Sequence, residues 1–170
     1  MNLTIRKATL SDTENYIALL THVKATMNQQ AWFVIDEADF IRTAMADGTM
    51  ELWLAMDGGR IAGGFHIIHP GLHPDNYGYD LGFSQEDLLK VIHMDSAAVH
   101  PDYRGNRLQQ KLMAEIEEDL KIRFPGAILL TTVHPENLYS LYNVQSMGYT
   151  PVLRLAKYGS ERYILRKDIP

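Results

Sequence analysis

The chain of 170 residues contains no cysteine. It therefore forms no disulfide, offers no thiolate nucleophile, and has no Cys-ligated zinc site or redox pair. Long apolar runs are also absent, because the longest, residues 61–68 and 127–133, fall far short of the roughly 20 residues that cross a bilayer. Residues 1–7 lack a cationic leader followed by a long apolar region. We expect a cytoplasmic protein with no membrane partner and no metal.

Basic residues are also few: 16 Lys and Arg stand against 21 Asp and Glu, which gives a net charge of -5. Nucleic-acid binding relies on clustered Lys and Arg, so this balance argues against a nucleic-acid partner and mildly favours a cationic one. The hydrophobic content of 46% excludes a disordered chain. No repeat, low-complexity run or Pro/Gly-rich linker divides the sequence, so we expect a single domain over residues 1–170.

Apolar periodicity predicts an α/β chain in the order strand, two helices, three strands, helix, strand, helix and two strands. A capping box from Ser11 to Glu14 opens the first helix, and the second begins at Asp36 and ends near Gly48. A long aromatic loop, residues 69–85, precedes a buried strand over residues 91–99. An apolar stripe then marks an amphipathic helix over residues 108–123. The last elements are a strand over 127–133, a helix over 135–147, and strands over 149–155 and 161–166.

The junction between the buried strand and the amphipathic helix, residues 94–112, is the most informative segment. The first amides of a helix have no carbonyl partners, and together with the helix dipole they suit a phosphate or diphosphate. Arg104 and Arg107 add positive charge beside these amides. A solvated loop is the alternative interpretation, because many such junctions bind nothing.

Residues 99–106, VHPDYRGN, followed by this helix, resemble the cofactor loop of the GNAT superfamily of acyl-CoA-dependent N-acetyltransferases, whose signature is R/Q-x-x-G-x-G/A. Residues 134–137, HPEN, with Ser140 and the pair Gly148-Tyr149, are similar to the family's Asn-containing helix that ends in Gly-Phe or Gly-Tyr. The resemblance implies a single-domain α/β fold with a mixed, mostly antiparallel sheet of about seven strands, flanked by about four helices and splayed between the fourth and fifth strands.

The resemblance also implies acetyl-CoA as co-substrate, with its pantetheine arm admitted by the splay. The arm is expected to bond to the backbone of residues 97–99, and the diphosphate to rest on the amides of residues 104–109. Asn137 would help to hold the pantetheine from the facing helix. The cofactor-binding residues implied in this way are Ala97, Ala98, Val99, Arg104, Gly105, Asn106, Arg107, Leu108, Gln109, Asn137 and Ser140.

Two signature positions depart from the family. If Arg104 opens the signature, Arg107 takes the place of the first required glycine and Gln109 that of the final glycine or alanine. Side chains at these positions crowd the approach of phosphate to the backbone, although a helical φ at Arg107 would let its guanidinium swing out and pair with a phosphate. The alternative is that Arg107 projects into water and that the site is degraded.

The general acid of many family members, a tyrosine seven residues after the helix asparagine, is replaced by Val144. Tyr142 is no equivalent, because at 100° per residue it is displaced by about 200° from Val144 around the helix. Tyr139 is no better placed. Loss of the acid need not abolish activity, since a thiol with a pKa of about 8.5 leaves tolerably as the thiolate.

Attack by an amine also needs a base, because a free alkylamine is mostly protonated at pH 7. His93 and Asp95 are two residues apart on the strand beside the expected thioester, so their side chains share a face and both are candidate bases. The alternative is that they hydrogen-bond to each other or to a neighbouring strand. A backbone amide near Val99 is expected to meet the developing oxyanion.

Two other groups of residues carry weaker signals. His66, His69 and His73 cluster in sequence, but without HExxH spacing a structural or exposed role fits them better than a metal site. Several aromatic residues and an acid lie in the expected acceptor loops, where they suit a cationic amine and where loop packing explains them equally well: Trp32, Phe33, Tyr77, Tyr79 and Asp80.

The predicted function is transfer of an acyl group, most simply acetyl, from acyl-CoA to a primary amine by direct attack in a ternary complex. One alternative is a catalytically impaired CoA-binding sensor or interaction module of the same fold. Another is a phosphate-ligand protein that uses the helix mouth alone. The expected partners are acyl-CoA and an amine-bearing acceptor, whose identity the loops do not reveal, and a homodimer is compatible with the family.

Overall fold

Five α-helices and seven β-strands make up the computed structural model, which describes residues 1–170. The helices are α1 (Thr13–Ala25), α2 (Ala38–Asp47), α3 (Gln85–Leu88), α4 (Leu108–Arg123) and α5 (Leu138–Ser146). The strands are β1 (Leu3–Lys7), β2 (Met50–Asp57), β3 (Arg60–Ile68), β4 (Val91–Val99), β5 (Ile128–Val133), β6 (Thr150–Lys157) and β7 (Ser160–Asp168). The predicted order of elements is confirmed, and the short α3 is added just before β4.

The strands form a sheet in the order β1-β2-β3-β4-β5-β7-β6. β1 pairs antiparallel with β2, and β7 pairs antiparallel with both β5 and β6, whereas β4 and β5 run parallel. The parallel pairing is short and runs from Val91↔Ile128 to His93↔Leu130, while β5 keeps its pairing with β7 as far as Val133. The predicted α/β fold with a mixed, mostly antiparallel sheet is confirmed, and the short parallel pairing agrees with a splay between the fourth and fifth strands.

Two compact units divide the chain. Unit 1 comprises residues 1–67 and 96–116, and unit 2 comprises residues 68–95 and 117–170. Organisation as a single domain over residues 1–170 stays a prediction. None of the helices combines the length and the apolar character that a bilayer crossing requires.

Unit 1 is built where α1 packs against the strands. α1 buries apolar side chains three or four residues apart, as a helix of 3.6 residues per turn requires: Tyr16, Leu19, Leu20 and Val23. β3 passes very close to α1 at Gly64, where a Cβ would lie 2.7 Å from Cε1 of Tyr16. α2 buries Ile41 and ends at Asp47, because Gly48 adopts a left-handed φ of 81°.

Unit 2 has a core in which one face of each strand contributes alternate side chains. Its buried members come from β4, β5, β7 and the loop before α3: Tyr77, Val91, Ile128, Leu130 and Ile164. A buried polar group lies apart from this cluster. Glu117, on α4, accepts hydrogen bonds from the Tyr149 hydroxyl (3.1 Å) and from Nζ of Lys167 (3.2 Å).

The observed capping box, from Thr9 to Asp12, opens a short 3-10 turn, Leu10–Asp12, that leads into α1. Thr9 has the extended φ and ψ of an N-cap, -110° and 173°, and its N–H donates to the Asp12 carboxylate at 2.9 Å. The prediction of a box from Ser11 to Glu14 is therefore wrong. Glu14 instead forms an ion pair with Arg42 at 2.6 Å.

Two other helices begin later than the sequence predicts. α2 begins at Ala38 rather than at Asp36, because Glu37 is extended, with ψ at 144°. α5 begins at Leu138 rather than at residue 135, because Asn137 caps it: its Oδ1 accepts the N–H of Ser140 at 3.3 Å. Asp36 consequently lies in the loop between α1 and α2.

Candidate functional site

The segment that enters α4 in unit 1 is held rigidly at its start. Pro101–Tyr103 forms a short 3-10 turn in which Nδ1 of His100 accepts the N–H of Asp102 at 3.2 Å. The buried Tyr103 donates its hydroxyl hydrogen bond to Asp57 at 2.8 Å and thereby lowers the pKa of that carboxyl. The N–H of His100 donates to the carbonyl of Ala62 at 2.9 Å, which ties the end of β4 to β3.

Residues 104–107 then make the turn into α4. Gly105 has a φ of 85°, Nδ2 of Asn106 donates to the carbonyl of Tyr103 at 2.8 Å, and Arg107 has a φ of 56°. The carbonyl of Arg107 accepts the N–H of Lys111 at 3.0 Å, which is the first bond of the helical ladder. The helical ladder of α4 thus begins beside the end of the helix at which its dipole is positive.

The backbone of Arg107 corrects one expectation. A helical φ was expected to let its guanidinium swing outward, but the observed φ of 56° is left-handed. This is the conformation that favours glycine, the residue that the GNAT signature has at this position. The chain keeps a glycine-like backbone at residue 107 with an exposed arginine side chain on it.

α1 supports the same loop within unit 1. A guanidinium nitrogen of Arg104 donates to Oγ1 of Thr26, at the end of α1, at 3.1 Å. The ring of His22 stacks on that of His100, with centroids 5.1 Å apart. At the end of β4, Ala98 is buried and Val99 is partly buried, and β3 approaches closely through Gly63, whose Cβ would lie 3.0 Å from the carbonyl oxygen of Ala98.

The two candidate bases lie in unit 2 and differ in their surroundings. His93 is buried, its Nε2 accepts the backbone N–H of Tyr77 at 3.1 Å, and its ring stacks on the Tyr77 ring with centroids 3.8 Å apart. Asp95 is only partly buried. As a base, His93 would first have to give up a backbone hydrogen bond, so Asp95 is the stronger candidate of the two.

Tyr77 of the long loop is part of the core of unit 2, and Asp80 of the same loop has a lysine partner. Burial, and the negative charge of Asp95, raise the pKa of Tyr77 well above its usual value. The Tyr77 hydroxyl contacts that of Tyr158 at 2.7 Å, and Asp80 pairs with Lys157 at 3.0 Å. The sequence alone does not single out Tyr158, which forms with Gly159 the two-residue turn between β6 and β7.

α5 presents the predicted pantetheine contacts at its first turn. Asn137 is the N-cap, and Ser140 is partly buried on the same turn. Val144, where many relatives have the acid, is 3% exposed, whereas Tyr142 is 70% exposed. Tyr142 thus lies on the face opposite Val144, as predicted.

The three histidines of the sequence cluster have different partners. His69 lies against the ring of Phe124, with centroids 5.1 Å apart, and the exposed His73 lies 3.6 Å from Asp75. His66, on β3, is fully buried; its Nδ1 lies 2.6 Å from the Tyr16 hydroxyl and its Nε2 lies 3.3 Å from a carboxylate oxygen of Asp36. Sequence reasoning missed this Tyr16-His66-Asp36 group, because its members come from three elements far apart in the chain.

Comparison with known proteins shows a family match for most of the chain and several solved structures with a similar fold. The model of the Acetyltransferase (GNAT) family matches residues 17–149. NAA60 from Arabidopsis thaliana, solved in complex with acetyl-CoA, has a TM-score of 0.76 and 15% identity, and 99% of each chain is covered. For yncA from Salmonella typhimurium, solved with its cofactor acetyl-CoA, the TM-score is 0.71 at 15% identity, with coverage of 99% of this chain and 94% of that chain.

A third solved structure is the ribosomal-protein-alanine N-acetyltransferase from Brucella melitensis, with a TM-score of 0.70, 18% identity, and coverage of 98% of this chain and 99% of that chain. A comparison with curated protein sequences finds no match. At these identities the solved structures show a shared fold, whereas the family match spans most of the chain. The chain therefore belongs to the GNAT acetyltransferase family, and this membership supports acyl transfer from acetyl-CoA as its reaction.

Proposed function

We propose that this protein transfers an acetyl group from acetyl-CoA to a primary amine by direct attack in a ternary complex. The observation that carries the proposal is the loop before α4, which turns through left-handed backbone at Gly105 and Arg107 and leads directly into the N-terminus of a 16-residue helix. The positive end of the helix dipole at this junction favours an anion such as a diphosphate. Family membership supports CoA as the source of that anion.

The diphosphate of CoA would be bound mainly by main-chain groups of residues 104–109. The side chains of Arg104 and Arg107 are exposed and add positive charge at the loop. Ala97, Ala98 and Val99 would bond to the pantetheine arm through their backbone, and Asn137 and Ser140 remain predicted pantetheine contacts. Because few side chains are involved, the substitution at the signature glycine is compatible with binding.

In the chemical step, the nitrogen of the neutral amine attacks the thioester carbonyl carbon, the C–S bond breaks, and CoA leaves as the thiolate. Asp95, directly or through water, takes the proton that the nitrogen loses, with His93 as the second candidate base. The carbonyl oxygen becomes negative in the transition state and would be met by a backbone amide near Val99. Water protonates the thiolate afterwards, since Val144 offers no acid.

Release of free thiol tests the proposal directly. The protein is incubated with acetyl-CoA and a panel of primary amines, and CoA thiol is followed with a chromogenic disulfide, to which a chain without cysteine adds no background. Thiol release that depends on an amine supports transfer. Asp95→Asn should lower kcat by about 100-fold or more, the usual contribution of a general base. Tyr142→Phe, at an exposed position outside the site, should leave the rate unchanged.

A CoA-binding sensor without turnover is the second candidate, favoured by the buried Val144 at the place of the usual acid. The thiol assay together with a thermal-shift measurement in the presence of CoA separates the two functions. A rise in melting temperature on adding CoA, with no thiol release for any amine, would favour the sensor. Absence of both would show that the loop binds no coenzyme.

A further inference from the structure

Four of the seven histidines in the chain precede a proline, and three of these His-Pro pairs are followed by an acidic residue. The three segments begin at His73, His100 and His134. In each of them Nδ1 of the histidine accepts the backbone N–H of the acidic residue two positions later, at 3.1, 3.2 and 3.1 Å. The carbonyl of the same histidine accepts the N–H of the residue three positions later, at 3.0, 2.9 and 2.9 Å. We call this structure the His-Pro turn.

The sequence of the His-Pro turn explains its geometry. Proline fixes its own φ at about -65° and biases the residue before it toward extended backbone, and His100 accordingly has a ψ of 137°. Nδ1 takes the place that the side-chain oxygen has in an Asx turn, so it reaches the N–H two residues later. Because Nδ1 accepts a hydrogen bond only when it is unprotonated, the neutral ring carries its hydrogen on Nε2.

Two of the three turns directly follow the parallel strands β4 and β5. β4 ends at Val99 and is followed by His100, and β5 ends at Val133 and is followed by His134. The sequences at these ends are Val-His-Pro-Asp and Val-His-Pro-Glu. Each of the two turns leads into a segment to which the proposed function assigns coenzyme contacts. The third turn, at His73, lies in the loop between β3 and α3 and leads into no such segment.

In unit 1, the turn at His100 fixes the chain that enters the coenzyme loop, residues 104–109. The backbone N–H of His100 donates to the carbonyl of Ala62 on β3 at 2.9 Å, which holds the start of the turn. The N–H of Tyr103 closes the turn, and the carbonyl of Tyr103 accepts a hydrogen bond from Nδ2 of Asn106 at 2.8 Å. Hydrogen bonds therefore run from the first residue of the turn into the coenzyme loop.

In unit 2, the turn at His134 fixes the start of α5. The N–H of Asn137 closes this turn on the carbonyl of His134, and Oδ1 of Asn137 accepts the N–H of Ser140 at 3.3 Å. The carbonyl of Asn137 accepts the N–H of Leu141 at 3.0 Å, which continues the backbone bonds into the helix. The turn thus holds the backbone of Asn137, one of the two predicted pantetheine contacts.

Building on the proposed function, we propose that His100 and His134 are positioning residues that act on different parts of the coenzyme. His100 sets the conformation of the loop that receives the diphosphate, and His134 sets the backbone of Asn137, which holds the pantetheine arm. Both act through the main chain, because a segment held in its bound conformation loses less conformational entropy when the ligand binds. His73 makes the same turn without this role.

Two acetyl donors separate the roles of the two histidines. Acetyl-CoA carries the diphosphate and the pantetheine arm, whereas S-acetylpantetheine carries the same arm and thioester without any phosphate, and both release a thiol that the same assay detects. His100→Leu should lower kcat/KM for acetyl-CoA by about two- to thirty-fold, the effect of losing a capping hydrogen bond, through a raised KM. It should leave kcat/KM for S-acetylpantetheine unchanged. His134→Leu should lower kcat/KM for both donors by similar factors.

His73→Leu is the matched control, because it removes the same Nδ1 acceptor from the same kind of turn. It should leave kcat/KM unchanged for both donors. Asparagine provides the rescue, since a side-chain amide oxygen accepts an N–H two residues later elsewhere in this chain: Oδ1 of Asn76 accepts the N–H of Gly78 at 2.8 Å. His100→Asn and His134→Asn should therefore recover most of the kcat/KM that the leucine variants lose.

A merely structural role of the rings would give different results. If His100→Leu lowers kcat/KM equally for both donors, if the asparagine variants recover nothing, or if His73→Leu behaves like His100→Leu, the inference is wrong and the proposed function stands.

Failure of every amine to release thiol from acetyl-CoA would instead overturn the proposed function. Calorimetry with CoA then decides the inference without turnover. The Kd for CoA should rise by about two- to thirty-fold in His100→Leu and His134→Leu and stay unchanged in His73→Leu. An equal Kd in all of these proteins, or no binding of CoA by the unmodified protein, would overturn the inference as well.

Discussion

Replacing Arg107 by glycine is expected to raise the melting temperature of the ligand-free protein. Arg107 has a φ of 56°, and a left-handed backbone costs about 1–2 kcal/mol for a residue with a Cβ. Glycine avoids that cost, but its greater freedom in the unfolded chain offsets about 0.4–1 kcal/mol of the gain. The backbone therefore gains about 0.5–1 kcal/mol, and at about 2–4 °C per kcal/mol for a chain of this size this raises the melting temperature by roughly 1–4 °C, to which removal of the guanidinium adds.

Arg107→Ala is the matched control. It removes the same guanidinium, including its unfavourable position at the positive end of the α4 dipole, but it keeps a Cβ on the left-handed backbone. The difference between the two variants therefore measures the backbone contribution alone. Thermal unfolding followed by circular dichroism without CoA gives both melting temperatures. If Arg107→Ala melts at or above the temperature of Arg107→Gly, the left-handed backbone is not a source of strain and the reasoning fails.

Lys167→Met should destabilise the protein by about 2–4 kcal/mol in urea unfolding, because Lys167 lies 2.9 Å from the buried Glu117 carboxylate. Changing Glu117 to Gln in the same protein should recover much of this loss, because no buried charge is then left unpaired. Gly64→Ala should lose about 1–3 kcal/mol, because the new Cβ would lie 2.7 Å from a fully buried tyrosine ring; unfolding at the native midpoint would contradict this. Hydrogen bonding to Arg6 lowers the pKa of Asp12 to about 2, so its contribution to stability is full above about pH 4 and is lost as the pH falls toward 2. That contribution is under about 1 kcal/mol, because Arg6 is nearly half exposed, and Asp12→Asn should remove it from the acid-unfolding curve.

The elements around the cofactor loop could be predicted because each has a strong periodic pattern. β4 is rich in apolar residues, and the predicted bounds, residues 91–99, are those observed. The apolar stripe of α4 is equally regular, so Leu108, Leu112, Ile116 and Leu120 are buried as predicted. Helix starts were less predictable, since Ser, Thr and Asp compete as caps within a few residues: Thr9 caps a 3-10 turn, and α1 follows from Asp12 without a side-chain cap.

Sequence patterns could not predict the backbone conformation of Arg107 or the contacts of His66. Arginine favours right-handed backbone, so local propensity points away from the φ of 56° that the loop imposes. Tyr16, Asp36 and His66 are up to 50 residues apart, and only the packing of α1 on β3 brings them together. The sequence marked His66 as structural or exposed, which is consistent with its burial but does not reveal its partners.

A bound diphosphate would reverse the electrostatic effect of Arg107. In the free protein its charge at the start of α4 is disfavoured by roughly 0.3–1 kcal/mol, whereas both the charge and the helix dipole attract a diphosphate placed there. Glycine at this position therefore stabilises the free protein and weakens the complex. If the guanidinium contributes tenfold to affinity, saturating CoA should stabilise Arg107→Gly by about 1.4 kcal/mol less than the unmodified protein, or roughly 3–6 °C less in melting temperature. Equal increments in the two proteins would show that the guanidinium does not reach the phosphates and that the backbone amides bind them unaided.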